Sequence, residues 1–212
     1  ILAQAGGVVF HLLLQIARVQ ARQAGRGVAV ALTLQAVAGE AGVGSAARAA
    51  DVPIVFFQEV HRASGVDFGR ELDGVEGPHC IEGRPGTPLH PALLPDLDGP
   101  NAEFHIVKRR YSGFIGTEFE IVLSGLKADT LILIGGLTDV CVHYTFADAH
   151  QRDFHVRVVT DCVGGSSEYR HDAALDAMEY LQTGATRTTE EILAAFSSRT
   201  LHQEAVLEGA AR

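Results

Sequence analysis

Ile134-Gly135-Gly136-Leu137-Thr138-Asp139-Val140-Cys141-Val142-His143 decides how this chain is read. The apolar run leading into it, Thr130 to Ile134, has the length of a buried strand and stops at a Gly-Gly pair. Past Thr138, the spacing of Val142, Phe146 and Ala149 predicts a helix from Asp139 to about His150. Strand, glycine turn and helix in that order put Cys141 in the first turn of a helix, at the carboxyl end of a strand. Backbone N–H groups and the positive end of the helix dipole favour a thiolate there. Open α/β sheets bind their ligands at that same edge. Position alone leaves two readings, a nucleophile or a small buried hydrophobe of the kind most cysteines are.

The segments around this stretch repeat the same alternation. Upstream, Ile54 to Phe57 and Glu103 to Val107 are apolar enough for buried strands. A helix is expected over Glu118 to Leu126, with Thr117 as its N-cap. Downstream come a strand at Val156 to Val159, a helix at His171 to Leu181, a short strand at Ala185 to Arg187 and a helix through Phe196. Near the start, Leu12 to Arg22 reads as a helix and Gly27 to Leu34 as a first buried strand. Strands alternating with helices indicate an α/β fold with a doubly wound parallel sheet in three layers. The stretch from Glu59 to Pro100, rich in Gly, Pro, His and Asp, is too long for a plain connection and is expected to be functional.

At 212 residues the chain suits one domain, residues 1–212. Residues 1–45 are atypical. Ile1 to Gly39 contain Arg18, Arg22 and Arg26 and no acidic residue, so +3 faces −12 in the remainder of a chain whose net charge is −9. Such a break marks a separate arm or an altered start. The acidic balance argues against nucleic acid and against an anionic membrane as partner. Three cysteines with no CxxC spacing suit a reducing compartment, and the expected location is cytoplasmic. Gly6 to Ala17 is too short to span a bilayer.

A second motif, Lys108-Arg109-Arg110-Tyr111-Ser112-Gly113-Phe114-Ile115-Gly116-Thr117, follows the strand expected beside the cysteine strand. On spacing alone, Lys108 reads as one more solvated cation of a basic run. Taken with Gly-Gly-Leu-Thr-Asp-Val-Cys-Val and with Thr145-x-x-Asp148-Ala149, it resembles the isochorismatase-like cysteine hydrolases. That family includes nicotinamidases, N-carbamoylsarcosine amidases and ureidoacrylate amidases, and the resemblance runs from about Val52 to Phe196. It implies strand order 3-2-1-4-5-6 and hydrolysis of a small amide, carbamoyl or ureido C–N bond through a thioester on Cys141. Lys108 would be the cation beside the thiol. A cis bond between Gly136 and Leu137 would shape an oxyanion hole from the N–H groups of Leu137 and Cys141. His61, Phe68 and Phe114 are expected to line the substrate pocket. The family also implies a homodimer or homotetramer.

Two family features are not matched in the sequence. The general base is an Asp in an Asp-x-Gln motif on the first strand, and Thr33 of Leu32-Thr33-Leu34-Gln35 stands in its place. A threonine hydroxyl accepts no proton at neutral pH. Nicotinamidases bind a metal through Asp-x-His…His, and Glu59-Val60-His61 gives only the first half. One Glu and one His complete no site, so neither metal nor cofactor is expected. His79-Cys80 reads as a buried structural pair or a wall of the substrate pocket, Cys162 reads as core, and Gly164-Gly165-Ser166-Ser167 lacks phosphate-loop spacing. Two rivals stand beside the hydrolase: a catalytically impaired homologue that binds a metabolite or forms oligomers, and a thiol redox protein.

Overall fold

The structure, a computed structural model, describes residues 10–16, 39, 41–74 and 76–198. Six parallel strands form one sheet in the order β3-β2-β1-β4-β5-β6. They are β1 (Phe10–Ile16), β2 (Ile54–Glu59), β3 (Glu103–Lys108), β4 (Thr130–Gly136), β5 (His155–Gly164) and β6 (Thr186–Arg187). This is the doubly wound order 3-2-1-4-5-6, in which the chain reverses direction between β1 and β4.

One expectation for the start of the chain is corrected. The strand between β2 and β4 is Phe10–Ile16, paired from Leu12–Ile16 to Ile54–Gln58 and from Phe10–Gln15 to Thr130–Gly135. The helix expected from Leu12 therefore does not form over Leu12–Ile16. A short aliphatic run fits either period, and pairing with strands on both sides selects the extended form. Gly27 to Leu34, with Thr33, lies outside the described residues.

Strand periodicity sorts the core into two layers. Val55, Phe57, Ile106, Leu131, Leu133, Val156 and Val158 pack on one face, under α2 (Phe119–Leu126), α3 (His143–His150) and α4 (Glu168–Leu181). Ile54, Phe56, Ile132, Ile134 and Val159 pack on the other, under α1 (residues 41–49) and α5 (residues 189–198). Neighbours along a strand point to opposite faces, so near-continuous apolar strands are what a sheet covered on both sides requires. Cys162, expected in the core, is fully buried against α5, with Sγ 3.1 Å from Thr189 Oγ1. Helix α2 starts one residue later than expected, and Thr117 still serves it, since its Oγ1 accepts the Phe119 N–H.

The β4 end is built by its glycines. Gly135 has φ +107°, a conformation closed to ordinary side chains, and Gly136 pairs with Gly164 across the β4–β5 edge. A Cβ on Gly136 would stand 3.2 Å from the Gly164 carbonyl oxygen. The bond from Gly136 to Leu137 is cis. Thr138–Val142 then forms a π turn in which the Val142 N–H reaches back to Leu137 O, and α3 continues from it. Single π turns of this kind recur at functional sites.

Candidate active site

Cys141 lies within the π turn and is 4% exposed, while Lys108, the last residue of β3, is 1% exposed. Lys108 Nζ is 3.4 Å from Cys141 Sγ, so the fold brings together the two residues that the motifs singled out. Reading Lys108 as a solvated lysine is thereby excluded. Its ammonium also donates to Arg110 O at 3.0 Å and to Glu59 Oε2 at 2.5 Å.

Glu59 is the group whose place in this site the sequence did not reveal. It ends β2, paired in register with Lys108 of β3, so its carboxylate faces the same edge. Oε2 touches Lys108 and lies 3.8 Å from Cys141 Sγ. Oε1 lies 3.1 Å from His79 Nε2. Burial alone would raise the Glu59 carboxyl, but His61 Nε2 at 3.7 Å and the contacts to His79 and Lys108 outweigh it and hold the carboxyl well below the usual carboxylate range. Burial dominates at the thiol: it pushes Cys141 up to about 12, against the pull of Lys108 and with the help of Glu59. Burial lowers the Lys108 ammonium pKa, but its contacts with Cys141 and Glu59 outweigh that and leave it raised above the ordinary lysine value. The resting site is a neutral thiol beside a carboxylate–ammonium pair.

The long loop folds back onto this pair. The His61 N–H donates to Cys80 O and the Glu82 N–H to His61 O, both at 2.8 Å, which sets His61 beside residues 79–82. His61, Glu71 and His79 thereby join Glu59 in a cluster whose ligand-capable atoms all lie within 4.8 Å of one another. The sequence offered Glu59 and His61 alone, and the loop supplies the other two. His61 is fully buried, and neither ring nitrogen has a hydrogen-bond partner; both carboxylate oxygens of Glu71 are equally unpartnered. His61 Nε2 lies 2.9 Å from Glu71 Oε2 without the alignment of a hydrogen bond. Buried donors and acceptors without partners are costly unless an ion satisfies them, so these four residues fit a metal. His79 Nδ1 contacts Gly77 O at 2.9 Å, the outer contact that orients a ligating imidazole. Glu59 raises the His79 pKa to about 9.

The remaining expected residues divide. Phe68 is 4% exposed and stacks on His61 with centroids 4.1 Å apart, so it backs the cluster. Phe114 packs in the core against Phe119 (4.7 Å) and under the Arg152 guanidinium. Its assignment to the pocket lining is corrected: an aromatic beside a motif does not reveal which face it takes. Cys80 lies beside the cluster, and burial pushes its thiol up to about 12. All three thiols are free. Leu137 precedes the turn, and Asp139 anchors it by accepting the Ser166 N–H (2.7 Å) and hydroxyl (2.5 Å). Thr138 Oγ1 and His171 Nδ1 add a second tie at 2.9 Å. The Gly-Gly-Ser-Ser segment is thus a brace for the cysteine turn. No carboxylate occurs in Phe10–Ile16, the strand on which the family carries its base.

A nicotinamidase of Escherichia coli (strain K12) is 33% identical over 121 residues, covering 52% of this chain and 56% of that protein. The solved pyrazinamidase/nicotinamidase of Streptococcus mutans UA159 superposes with a TM-score of 0.72 at 25% identity, covering 84% of this chain and 99% of that one. A cysteine hydrolase from Pseudomonas syringae pv. phaseolicola 1448A shares the fold with a TM-score of 0.75 at 23% identity, covering 90% and 93%. The chain spans about half the length of the curated relatives it matches. The isochorismatase domain matches residues 32–191, starting where the sequence suggested a first strand, whereas the sheet takes Phe10–Ile16 for that position. With most of the chain covered by that match, and a fold that agrees with it, the chain belongs to the isochorismatase family.

Proposed function

We propose that this protein is a cysteine amidohydrolase acting on a small amide or carbamoyl compound, with Cys141 as nucleophile. The observation that carries the reading is the buried Lys108 ammonium 3.4 Å from Cys141 Sγ, locked in place by Glu59. Sγ attacks the carbonyl carbon, and the N–H groups of Leu137 and Cys141 hold the oxygen as it becomes negative. The thiol proton passes to the Lys108–Glu59 pair, whose ammonium gives a proton to the departing nitrogen. The C–N bond breaks and ammonia or an amine leaves. Water then cleaves the thioester, releases the acid and returns the proton to Sγ.

Glu59, held far below the ordinary carboxylate range, is a weak base, so this relay predicts slow turnover. The cluster of Glu59, His61, Glu71 and His79 is read as a divalent cation site. When bound, the cation would supply Lewis acidity and a water of lowered pKa beside the thioester. Among the described residues no helix is long and apolar enough to cross a membrane. A cytoplasmic location and a homodimer or homotetramer complete the proposal, with the family as their support.

The missing carboxylate of Phe10–Ile16 favours a second reading, a homologue that binds its ligand without turning it over. One comparison separates the two. Ammonia release from a panel of small amides is measured for the wild type and for Cys141→Ala. Release by the wild type alone supports the hydrolase. Equal release from both proteins, or none from either alongside stoichiometric labelling of Cys141 by iodoacetamide, refutes it.

A further inference from the structure

The π turn that carries Cys141 has no cap of its own: Leu137, at its N-cap position, offers no side-chain acceptor to the first amides of the turn. The side chains of Thr138 and Asp139, its first two residues, tie it instead to the end of β5 and the start of α4. Asp139 uses both oxygens on one residue, Oδ1 accepting the Ser166 N–H at 2.7 Å and Oδ2 the Ser166 hydroxyl at 2.5 Å. Thr138 is fully buried, and its Oγ1 lies 2.9 Å from His171 Nδ1. His171 is itself fixed in the first turn of α4, where its N–H donates to Ser167 O at 2.9 Å. Gly165 permits the close approach, since a Cβ there would stand 2.7 Å from His171 Cβ and 3.1 Å from Asp139 Oδ1. Cys141 lies two residues beyond Asp139, so a shift of the turn changes the 3.4 Å separation of Sγ from Lys108 Nζ.

We infer that Ser166 and His171 are positioning residues for the reaction: by clamping Asp139 and Thr138 they hold Cys141 Sγ and the Leu137 N–H in register with the substrate carbonyl. This rests on the hydrolase reading given above. The two residues act through the turn and not on the substrate. Nucleophile and oxyanion donors belong to one short backbone segment, so a loosened clamp displaces them together, and a misplacement of about 1 Å costs up to about 100-fold in rate. Substrate binding draws on other walls of the site, so the loss falls on the transition state and leaves the ground-state complex as it was. The clamp also gives the Gly-Gly-Ser-Ser segment a task other than phosphate binding: Gly164 and Gly165 make room, and Ser166 supplies the bond.

Ser166→Ala and His171→Leu break the two ties, while Ser166→Thr keeps the hydroxyl and His171→Asn keeps a polar atom where Nδ1 stands. Each is compared with wild type by hydrogen–deuterium exchange of the peptide spanning 137–142, and by kcat and KM on the small amide that wild type turns over fastest. Circular dichroism confirms that each variant is folded. The expected result is faster exchange over 137–142 in Ser166→Ala and His171→Leu, with kcat lowered roughly 10- to 100-fold and KM nearly unchanged. Ser166→Thr and His171→Asn should restore most of both. An unchanged kcat in Ser166→Ala and His171→Leu overturns the positioning role, as does a kcat loss without faster exchange or one that the conservative variants do not restore. If wild type releases ammonia from no amide, the hydrolase reading fails, and exchange alone then decides the clamp: an unaltered rate over 137–142 overturns it too.

Discussion

Replacing Glu59 by Gln should make Cys141 more reactive while making the protein less stable, and the distances give the size of both effects. At an effective dielectric constant of about 20, an ammonium 3.4 Å from the sulfur stabilises its thiolate by about 5 kcal/mol. The Glu59 oxygen at 3.8 Å opposes it by about 4 kcal/mol. The two nearly cancel, which leaves burial to hold the thiol at about 12. Removing the carboxylate charge and keeping the ammonium is worth about three pH units, taking the thiol to about 9. At pH 7.5 the thiolate fraction rises about a thousandfold. Lower intrinsic nucleophilicity takes back a little under half of that on the logarithmic scale, so alkylation accelerates roughly 30- to 60-fold. The cost is a buried Lys108 without its carboxylate, and breaking such a pair destabilises by about 3–5 kcal/mol. The assay is iodoacetamide alkylation of Cys141 in excess EDTA, followed by intact mass, with circular dichroism confirming folded protein. Alkylation of folded Glu59→Gln at or below the wild-type rate would refute the reasoning.

Two further predictions concern the frame around the site. A Cβ on Gly113 would stand 2.6 Å from Phe57 Cζ, in the layer that carries α2 and α3. Gly113→Ala should therefore cost about 1–3 kcal/mol by overpacking, read as a lower urea midpoint with an unchanged slope. Glu179 accepts the N–H groups of Thr186 (2.9 Å) and Gly184 (2.6 Å) and the Thr186 hydroxyl, which lower its pKa to about 2. Since the folded pKa lies below the unfolded value of 4.5, its contribution is complete above pH 4.5 and is lost as pH falls through about 2. Glu179→Gln should be less stable than wild type at pH 7, and the gap should close between pH 4.5 and 2; a gap independent of pH would contradict the assignment.

What the sequence disclosed followed the range of the interactions that decide each feature. The β4–Cys141 stretch is local: an apolar run, two glycines and a helical period fix the strand, the turn and the nucleophile together. Lys108 needed a family context, because its burial comes from register with Glu59 on the adjoining strand, which spacing does not encode. Glu71 and His79 stayed hidden because the loop fold, not any periodicity, carries them to Glu59 and His61. Phe114 misled for the opposite reason: it sits in a functional motif yet packs in the core. The start of the chain failed on ambiguity, since Leu12–Ile16 suits a helix in isolation and a strand only once β2 and β4 stand on either side.

The central claim is a covalent thioester on Cys141, and rapid acid quench with intact mass spectrometry tests it most directly. Wild-type protein mixed with an amide substrate that releases ammonia should gain the mass of the acyl or carbamoyl group, on the peptide containing Cys141, within the first turnover. Cys141→Ala should gain nothing. Ammonia release by the wild type with no adduct on Cys141 at any quench time, and with activity retained in Cys141→Ala, would contradict the account.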